Sequence, residues 1–290
     1  MGEPERDPYT GRMTTGHEWN GIIELSTPVP RLVLFFLALT FISSLIIWIL
    51  APAWPSVNSY TKGILGIDQR TTLEDSLEKA DAITTPWRNE INSKDFTEIF
   101  NNENLMKTVR RHGARLFSDN CAMCHGTDAT GGDGYPSLVD DQWLWGGDPT
   151  KIMETLRIGV NSGHNESRIS QMMAYGRDGI LTLDQRRTVG AYVLSLSQST
   201  NTDDIKLKAG SEIYMQHCQS CHGDDGRGMQ SVGAPNLTDN FWIYGGDPVA
   251  IDQTLREGRQ GVMPFWDDRL SLADLKVLTL YVLDLAETGK

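Results

Sequence analysis

Two pentapeptides decide how this chain is read: Cys121-Ala-Met-Cys124-His125 and Cys218-Gln-Ser-Cys221-His222. Both are CxxCH, they use all four cysteines of the 290 residues, and their first cysteines stand 97 residues apart. Two thiols three residues apart with an imidazole next to the second suit thioether attachment of a haem, the cysteines bonding its vinyl groups and the histidine its iron. A lone CxxC has other uses, as a redox dithiol or half a zinc site. Zinc needs further ligands at matched positions, and neither copy holds a second cysteine pair. A thioredoxin-like dithiol needs a preceding strand and a βαβ setting, which the flanks lack. The reading is one covalent haem c at each motif: Cys121 and Cys124 with His125, and Cys218 and Cys221 with His222.

The likeness extends outward from the motifs. Gly113-x-x-Leu116-Phe117 and Gly210-x-x-Ile213-Tyr214 precede them at equal offsets. Trp145-Gly-Gly-Asp148-Pro149 matches Tyr244-Gly-Gly-Asp247-Pro248, and Thr155-Leu-Arg157-Ile-Gly159 matches Thr254-Leu-Arg256-Glu-Gly258. Each copy closes with an amphipathic helix carrying Tyr-Val-Leu-x-Leu, at Tyr192 to Leu196 and Tyr281 to Leu285. Thr182 with Gln185 makes a capping box for the first, and Ser271 is a good N-cap for the second, with Asp274 in its first turn. The pattern predicts a mainly α protein with tandem haem domains at 104–198 and 205–290, joined by a polar linker at 199–204. Domains this small have a limited apolar interior, which a porphyrin would fill. Gly113 and Gly210 are expected to let each first helix approach the last one, against Tyr192 and Tyr281.

The second axial ligand separates electron transfer from catalysis, since a methionine closes the iron's coordination sphere and raises its potential. Met263-Pro264 stands in a Gly-rich loop before the final helix, whereas Met229 lies too close to Cys221 to reach the opposite haem face. In the first copy Met172 occupies the corresponding place, with Met173 and His164 as rivals. Met172 and Met263 are therefore the expected ligands, each within its own copy. The regions of Pro136 and Pro235 offer a backbone carbonyl to the free nitrogen of His125 or His222. Arg157 and Arg256 are candidates for the haem propionates, or else solvated helix ends. His17, His112 and His217 have no matched partner and read as structural or surface residues.

The average composition hides a membrane span. A mean hydropathy of −0.33 argues against a polytopic membrane protein, yet residues 32–50 read LVLFFLALTFISSLIIWIL without a charge. As a helix of about 1.5 Å per residue it covers about 28 Å, close to the roughly 30 Å hydrocarbon core. Ala51-Pro52-Ala53 resembles a signal-peptidase site, but the apolar run is long for a signal peptide and the lead is acidic. The reading is a retained single span, with 1–31 inside and 51–103 a spacer or docking segment outside. Arg6, Arg12 and Arg31 against Lys62 and Arg70 favour that orientation. Within 51–103, Thr72 to Ala82 and Phe96 to Phe100 read as short helices.

The formal charge is −12, from 26 Lys and Arg against 38 Asp and Glu. Phosphate contacts need cations, so general nucleic-acid binding is excluded. An acidic exterior suits either a basic donor protein or plain solvation.

Thr15-Gly16-His17-Glu18-Trp19-Asn20-Gly21-Ile22, Glu24-Leu25, Thr27-Pro28-x-Pro30-Arg31, Pro52-Ala53-Trp54-Pro55 and Tyr60-Thr61-Lys62-Gly63-x-Leu65-Gly66 complete the pattern. With the two haem motifs behind them, the chain resembles the dihaem subunit of cbb3-type cytochrome c oxidase, the FixP/CcoP type, over residues 14–290. CxxCH alone says only cytochrome c; the N-terminal pattern makes the likeness specific. The resemblance implies class I cytochrome c domains and an electron-entry role without a catalytic centre in this chain. Electrons from a cytochrome c donor would pass through two haems to a monohaem subunit and then to the proton-pumping haem–copper subunit that reduces oxygen. It also implies the bacterial inner membrane, with a cytoplasmic N-terminus and periplasmic haem domains. Met173 stands where many relatives have proline. A free-standing dihaem shuttle is the competing function; a dihaem peroxidase would need an open distal site, against which the matched methionines argue.

Overall fold

The computed structural model describes residues 4–198 and 203–288. Most of the expected linker, 199–202, lies outside the described residues, as do 1–3 and 289–290. The chain divides into two compact units, Met1–Ile83 and Thr84–Lys290.

The first unit opens with an antiparallel hairpin of β1 (Thr14–Trp19) and β2 (Ile22–Leu25), in which Trp19 faces Ile22. Asn20 and Gly21 turn it with φ of 51° and 86°, the left-handed pair that a two-residue hairpin demands. The sequence carries the signal for this turn in Asn20-Gly21, although its overall pattern is that of a mainly α protein. Pro30 then starts α1 (Arg31–Leu50). No side chain of α1 is buried, although it is apolar on every side, which suits lipid rather than a protein core. Its hydroxyls bond back to the helix, Thr40 to the carbonyls of Phe36 and Leu37 and Ser44 to that of Thr40. The amides of Ile64 and Leu65 donate to the carbonyls of Ile49 and Leu50 at 3.0 Å, so the chain folds back over the helix end. Gly63 (φ 68°) makes that turn, since a Cβ there would lie 2.6 Å from the carbonyl carbon of Leu50. Trp48 and Trp54 meet edge to face, 4.9 Å apart.

Helix α2 (Gln69–Ser93), longer than expected and containing Pro86, carries the chain into the second unit. There α3 (Phe96–Phe100) has a capping box from Asp95 and Glu98, and Asn102 caps α4 (Glu103–Asn120). A single turn, α5 (Ala122–His125), follows, then α6 (Pro149–Ile158) and α7 (Leu183–Ser197). The second copy repeats the series as α8 (Asp204–His217), α9 (Gln219–His222), α10 (Pro248–Glu257) and α11 (Leu272–Thr288). Two caps are those the sequence indicated, the Thr182–Gln185 box and Ser271 reciprocating with Asp274; Asp148 and Asp247, each ahead of a proline, cap α6 and α10 as well.

The packing departs from sequence order. Neither 104–198 nor 205–290 closes on its own last helix. Instead α7 packs on α8 and α10, while α11 packs on α4 and α6. A Cβ on Gly113 would lie 2.5 Å from that of Tyr281, and one on Gly210 would lie 2.6 Å from that of Tyr192. The expected close approach of first and last helices exists, but across the copies. Buried Phe117, Ile152 and Leu156 meet Leu275, Leu278 and Val282 in one core; Val189, Val193 and Leu194 meet Tyr214, Ile251 and Leu255 in the other. Arg186 of α7 pairs with Asp252 of α10, and Arg110 of α4 with Asp284 of α11, both at 3.0 Å.

The end of the expected spacer belongs to this unit as well. Ile91 and Ile99, fully buried, pack with Val109 and with Val277 and Leu280 of α11. Lys276 of α11 donates to the carbonyls of Ile91, Asn92 and Lys94. Burying an isoleucine side chain contributes about 1.5–3 kcal/mol, so residues 84–102 are held to α4 and α11 by their own apolar contacts.

Candidate functional site

Each CxxCH forms one helical turn directly after a longer helix. The amide of Cys121 still bonds to Phe117 at the end of α4, and that of His125 reaches back to Cys121. Cys218 and His222 repeat this on Tyr214 and Cys218. Gly126 and Gly223, both at φ 80°, end the turns. The chain then loops back so that Gly131 donates to the His125 carbonyl and Gly228 to that of His222, both at 2.8 Å.

That loop presents the expected carbonyls. Nδ1 of His125 lies 2.9 Å from the Pro136 oxygen, and Nδ1 of His222 lies 3.0 Å from that of Pro235. A carbonyl only accepts, so Nδ1 carries the proton and Nε2 keeps its lone pair for a metal. Burial pushes the pKa of both imidazoles down, which favours the neutral form a metal requires. Burial also pushes the thiols of Cys121 and Cys218 up to about 11. A redox dithiol relies on the opposite shift.

Met263 is half-buried against the cluster of Phe117, Leu156 and Leu278, on which Cys121 also packs, and Met172 against the cluster that contains Cys218. Met173 is 52% exposed, which separates it from Met172. His164 has both ring nitrogens engaged: Nδ1 accepts from the Glu166 amide at 3.0 Å, and Nε2 lies 3.3 Å from Asp267. Among the other histidines, His17 lies beside Glu24, His112 stacks on Trp87, and the carbonyl of His217 accepts from the Tyr175 hydroxyl.

A haem fits this donor set. Trp242, packed against the Cys218 cluster, has a buried indole N–H without an acceptor among the described residues, the kind of donor that a propionate satisfies. Arg157 and Arg256 turn to Glu166 and Glu257 on the surface, as solvated helix ends. The arginines with a matched setting are others. Arg168 lies over Trp145 at 4.9 Å and Arg259 over Tyr244 at 4.3 Å, and the Nε of Arg168 is buried without a partner among the described residues. Sequence alignment hides them, because thirteen steps separate Gly159 from Met172 and only five separate Gly258 from Met263. The matched Trp145 and Tyr244 were the available signal.

Residues 11–58 match the family described as the N-terminal domain of cytochrome oxidase-cbb3, FixP. Residues 111–197 match cytochrome c, and 206–282 match cytochrome c oxidase, cbb3-type, subunit III. The cbb3-type cytochrome c oxidase subunit FixP of Bradyrhizobium diazoefficiens is 40% identical over 281 residues, 97% of each chain. The chain belongs to the FixP/CcoP family. The subunit CcoP of Azospirillum brasilense is 38% identical over 292 residues, covering 98% of this chain and 99% of that one. The subunit CcoP of Cereibacter sphaeroides is 40% identical over 271 residues, 93% of each. The FixP/CcoP likeness thus spans the apolar helix and both CxxCH copies, and cytochrome c domains imply covalently held haem c.

Proposed function

We propose that this chain is the membrane-anchored dihaem electron-transfer subunit of a cbb3-type terminal oxidase. The observation that carries the reading is the pair of matched half-sites, each with a CxxCH turn and a carbonyl-oriented histidine, behind an N-terminal segment of the oxidase family. Bound haem c supplies a one-electron couple at its iron. The chain's own residues do the rest. Cys121, Cys124, Cys218 and Cys221 hold the two groups covalently. His125 and His222 present Nε2, and the Pro136 and Pro235 carbonyls fix those rings and raise their basicity. Met172 and Met263 would supply the second protein ligand to each iron, and a site so filled would take part in electron transfer rather than bind oxygen or peroxide. Electrons come from a cytochrome c donor and go by way of a monohaem subunit to the haem–copper subunit. Helix α1 lies in the bacterial inner membrane, with the N-terminus cytoplasmic and the haem unit periplasmic.

Mild detergent extraction of native membranes tests this. A haem–copper subunit should co-purify with this chain, and the intact mass of the chain should include two haems. A chain that runs alone would make it an anchored electron shuttle instead. Protease added outside spheroplasts should cut the haem unit and spare residues before α1; the reverse pattern overturns the orientation.

A further inference from the structure

We propose that Asn161 is a positioning residue that fixes both methionine-bearing segments, 170–172 and 261–263, with a single carboxamide. This deepens the dihaem reading above and rests on Met172 and Met263 being iron ligands.

The Asn161 side chain meets each segment two residues before its methionine. Nδ2 donates to the carbonyls of Ser170 and Gly261, both at 2.7 Å, and Oδ1 accepts from the Ser170 amide at 3.0 Å. All three partners are backbone groups with fixed roles, since a carbonyl only accepts and an amide N–H only donates. One orientation of the carboxamide satisfies all of them. Ionised aspartate, of the same shape, has no donor to offer.

The backbone aims the group. Asn161 has a φ of 47°, in the left-handed region that asparagine enters more readily than most residues. Its own amide donates to the Arg168 carbonyl at 2.7 Å. The preceding Val160 exchanges amide hydrogen bonds of 2.9 Å with Met263 in both directions, and Met172 exchanges bonds of 2.8 and 3.1 Å with Arg259. Each methionine thus sits in one short bridge, and the Asn161 carboxamide ties the two bridges together.

The repeat does not supply a second tie of this kind. Gly159-Val160-Asn161 aligns with Gly258-Arg259-Gln260, and Gln260 is exposed where Asn161 is half-buried. The longer loop that Asn161 opens adds a contact of its own. His164 accepts at Nδ1 from the Glu166 amide, so its proton is on Nε2, 3.3 Å from Asp267, four residues past Met263. A thioether brings no charge to the iron, so its hold depends on where the backbone places the sulfur. Loosening Asn161 should therefore weaken both ligands at once, which a contact that only stabilises the fold would not do.

The test compares the full chain, with both haems attached and in detergent, with Asn161→Asp and Asn161→Gly. Both residues accept a positive φ, so neither strains the turn. Aspartate sets a carboxylate against two carbonyls, and glycine leaves those carbonyls to water. Ferric samples are titrated to alkaline pH until the methionine-to-iron charge-transfer absorption is lost. The pH of loss should fall by about one unit in both variants, roughly tenfold in the equilibrium. The whole amplitude should shift, and redox titration should show both haem potentials lowered. Thr182→Ala, which removes only the cap of α7, should lower the melting temperature and leave the pH of loss unchanged. Should Asn161→Asp fail to take up haem, Asn161→Gly decides alone.

A shift in only half of the amplitude would confine Asn161 to one segment and overturn the proposal. An unshifted band in either recovered variant, or an equal shift in Thr182→Ala, would overturn it as well. A parent chain that lacks the band would bring down methionine ligation together with this role, while oxidase membership still stands or falls on co-purification.

Discussion

The two halves of the haem-bearing unit are built from one repeat, yet they are not equally supported. In the half formed by α4, α5, α6 and α11, the closing helix is clamped on its far side by residues 84–102, with Ile91 and Ile99 fully buried against it. In the half formed by α8, α9, α10 and α7, the closing helix rests on α8 and α10. The first residues of α8 cover nothing comparable: Ile205 is 78% exposed. Duplication supplied the common framework, and the added N-terminal layer made one half the more deeply anchored.

The strongest way to break this comparison is at the glycines that let helices touch. Gly113→Val and Gly210→Val should each abolish recovery of the two-haem protein, because a Cβ would overlap Tyr281 in one case and the Thr188 carbonyl and Tyr192 in the other. Haem-stained gels and the haem-to-protein ratio read this directly. A normal ratio in either variant would mean that the contact yields easily.

The clamp comes next. Ile91→Ala or Ile99→Ala should destabilise the unit by about 2–5 kcal/mol, as buried large-to-small changes do, whereas Ile205→Ala should fall within about 0.5 kcal/mol of the parent. Denaturant melts followed by haem absorbance compare the three. Equal effects would erase the asymmetry.

On the unclamped side, Arg186 carries a larger share. It is 8% exposed, pairs with Asp252 and donates to the Leu181 carbonyl. Arg186→Ala strands both acceptors and should cost about 2–3 kcal/mol in the same melts.

A pH experiment sharpens the comparison further. His112 of α4 stacks on Trp87 of the clamp, and its pKa is lowered by burial and by the nearby Arg111 and Arg88 charges. The unfolded chain therefore binds the proton more readily than the folded one. The contribution is present above the ordinary histidine value of about 6.5 and is lost as pH falls below it. Stability of the parent should decline over that window more than stability of His112→Gln. Parallel curves would remove His112 from the account. The smallest effect is expected at the Thr182 cap of α7, where Thr182→Ala should cost about 1 kcal/mol.

Much of this was legible in the residues. The CxxCH turns, the caps at Thr182 and Ser271, the carbonyls of Pro136 and Pro235, and α3 are placed by local chemistry, which a linear pattern records. The exchange of closing helices is not local. Both carry Tyr-Val-Leu-x-Leu on the same apolar stripe, so periodicity states what each must cover and is silent on which copy it covers. Arg168 and Arg259 escaped because the longer first loop breaks their alignment. The clamp escaped because each of its two short segments offers one buried isoleucine, too little for a periodic signal. The Asn20-Gly21 hairpin escaped for a different reason: it joins strands of only six and four residues, mostly exposed, so no buried alternation flanks the turn.

The exchange also sets an order of assembly. A chain made from its N-terminus presents α4 and α6 long before residues 272–288 exist, so their apolar face waits for that later stretch. The other half needs no such wait, since α7 precedes both helices that it covers. The half that starts first is the last to be finished, and a chain broken off before α11 is left with its older half uncovered.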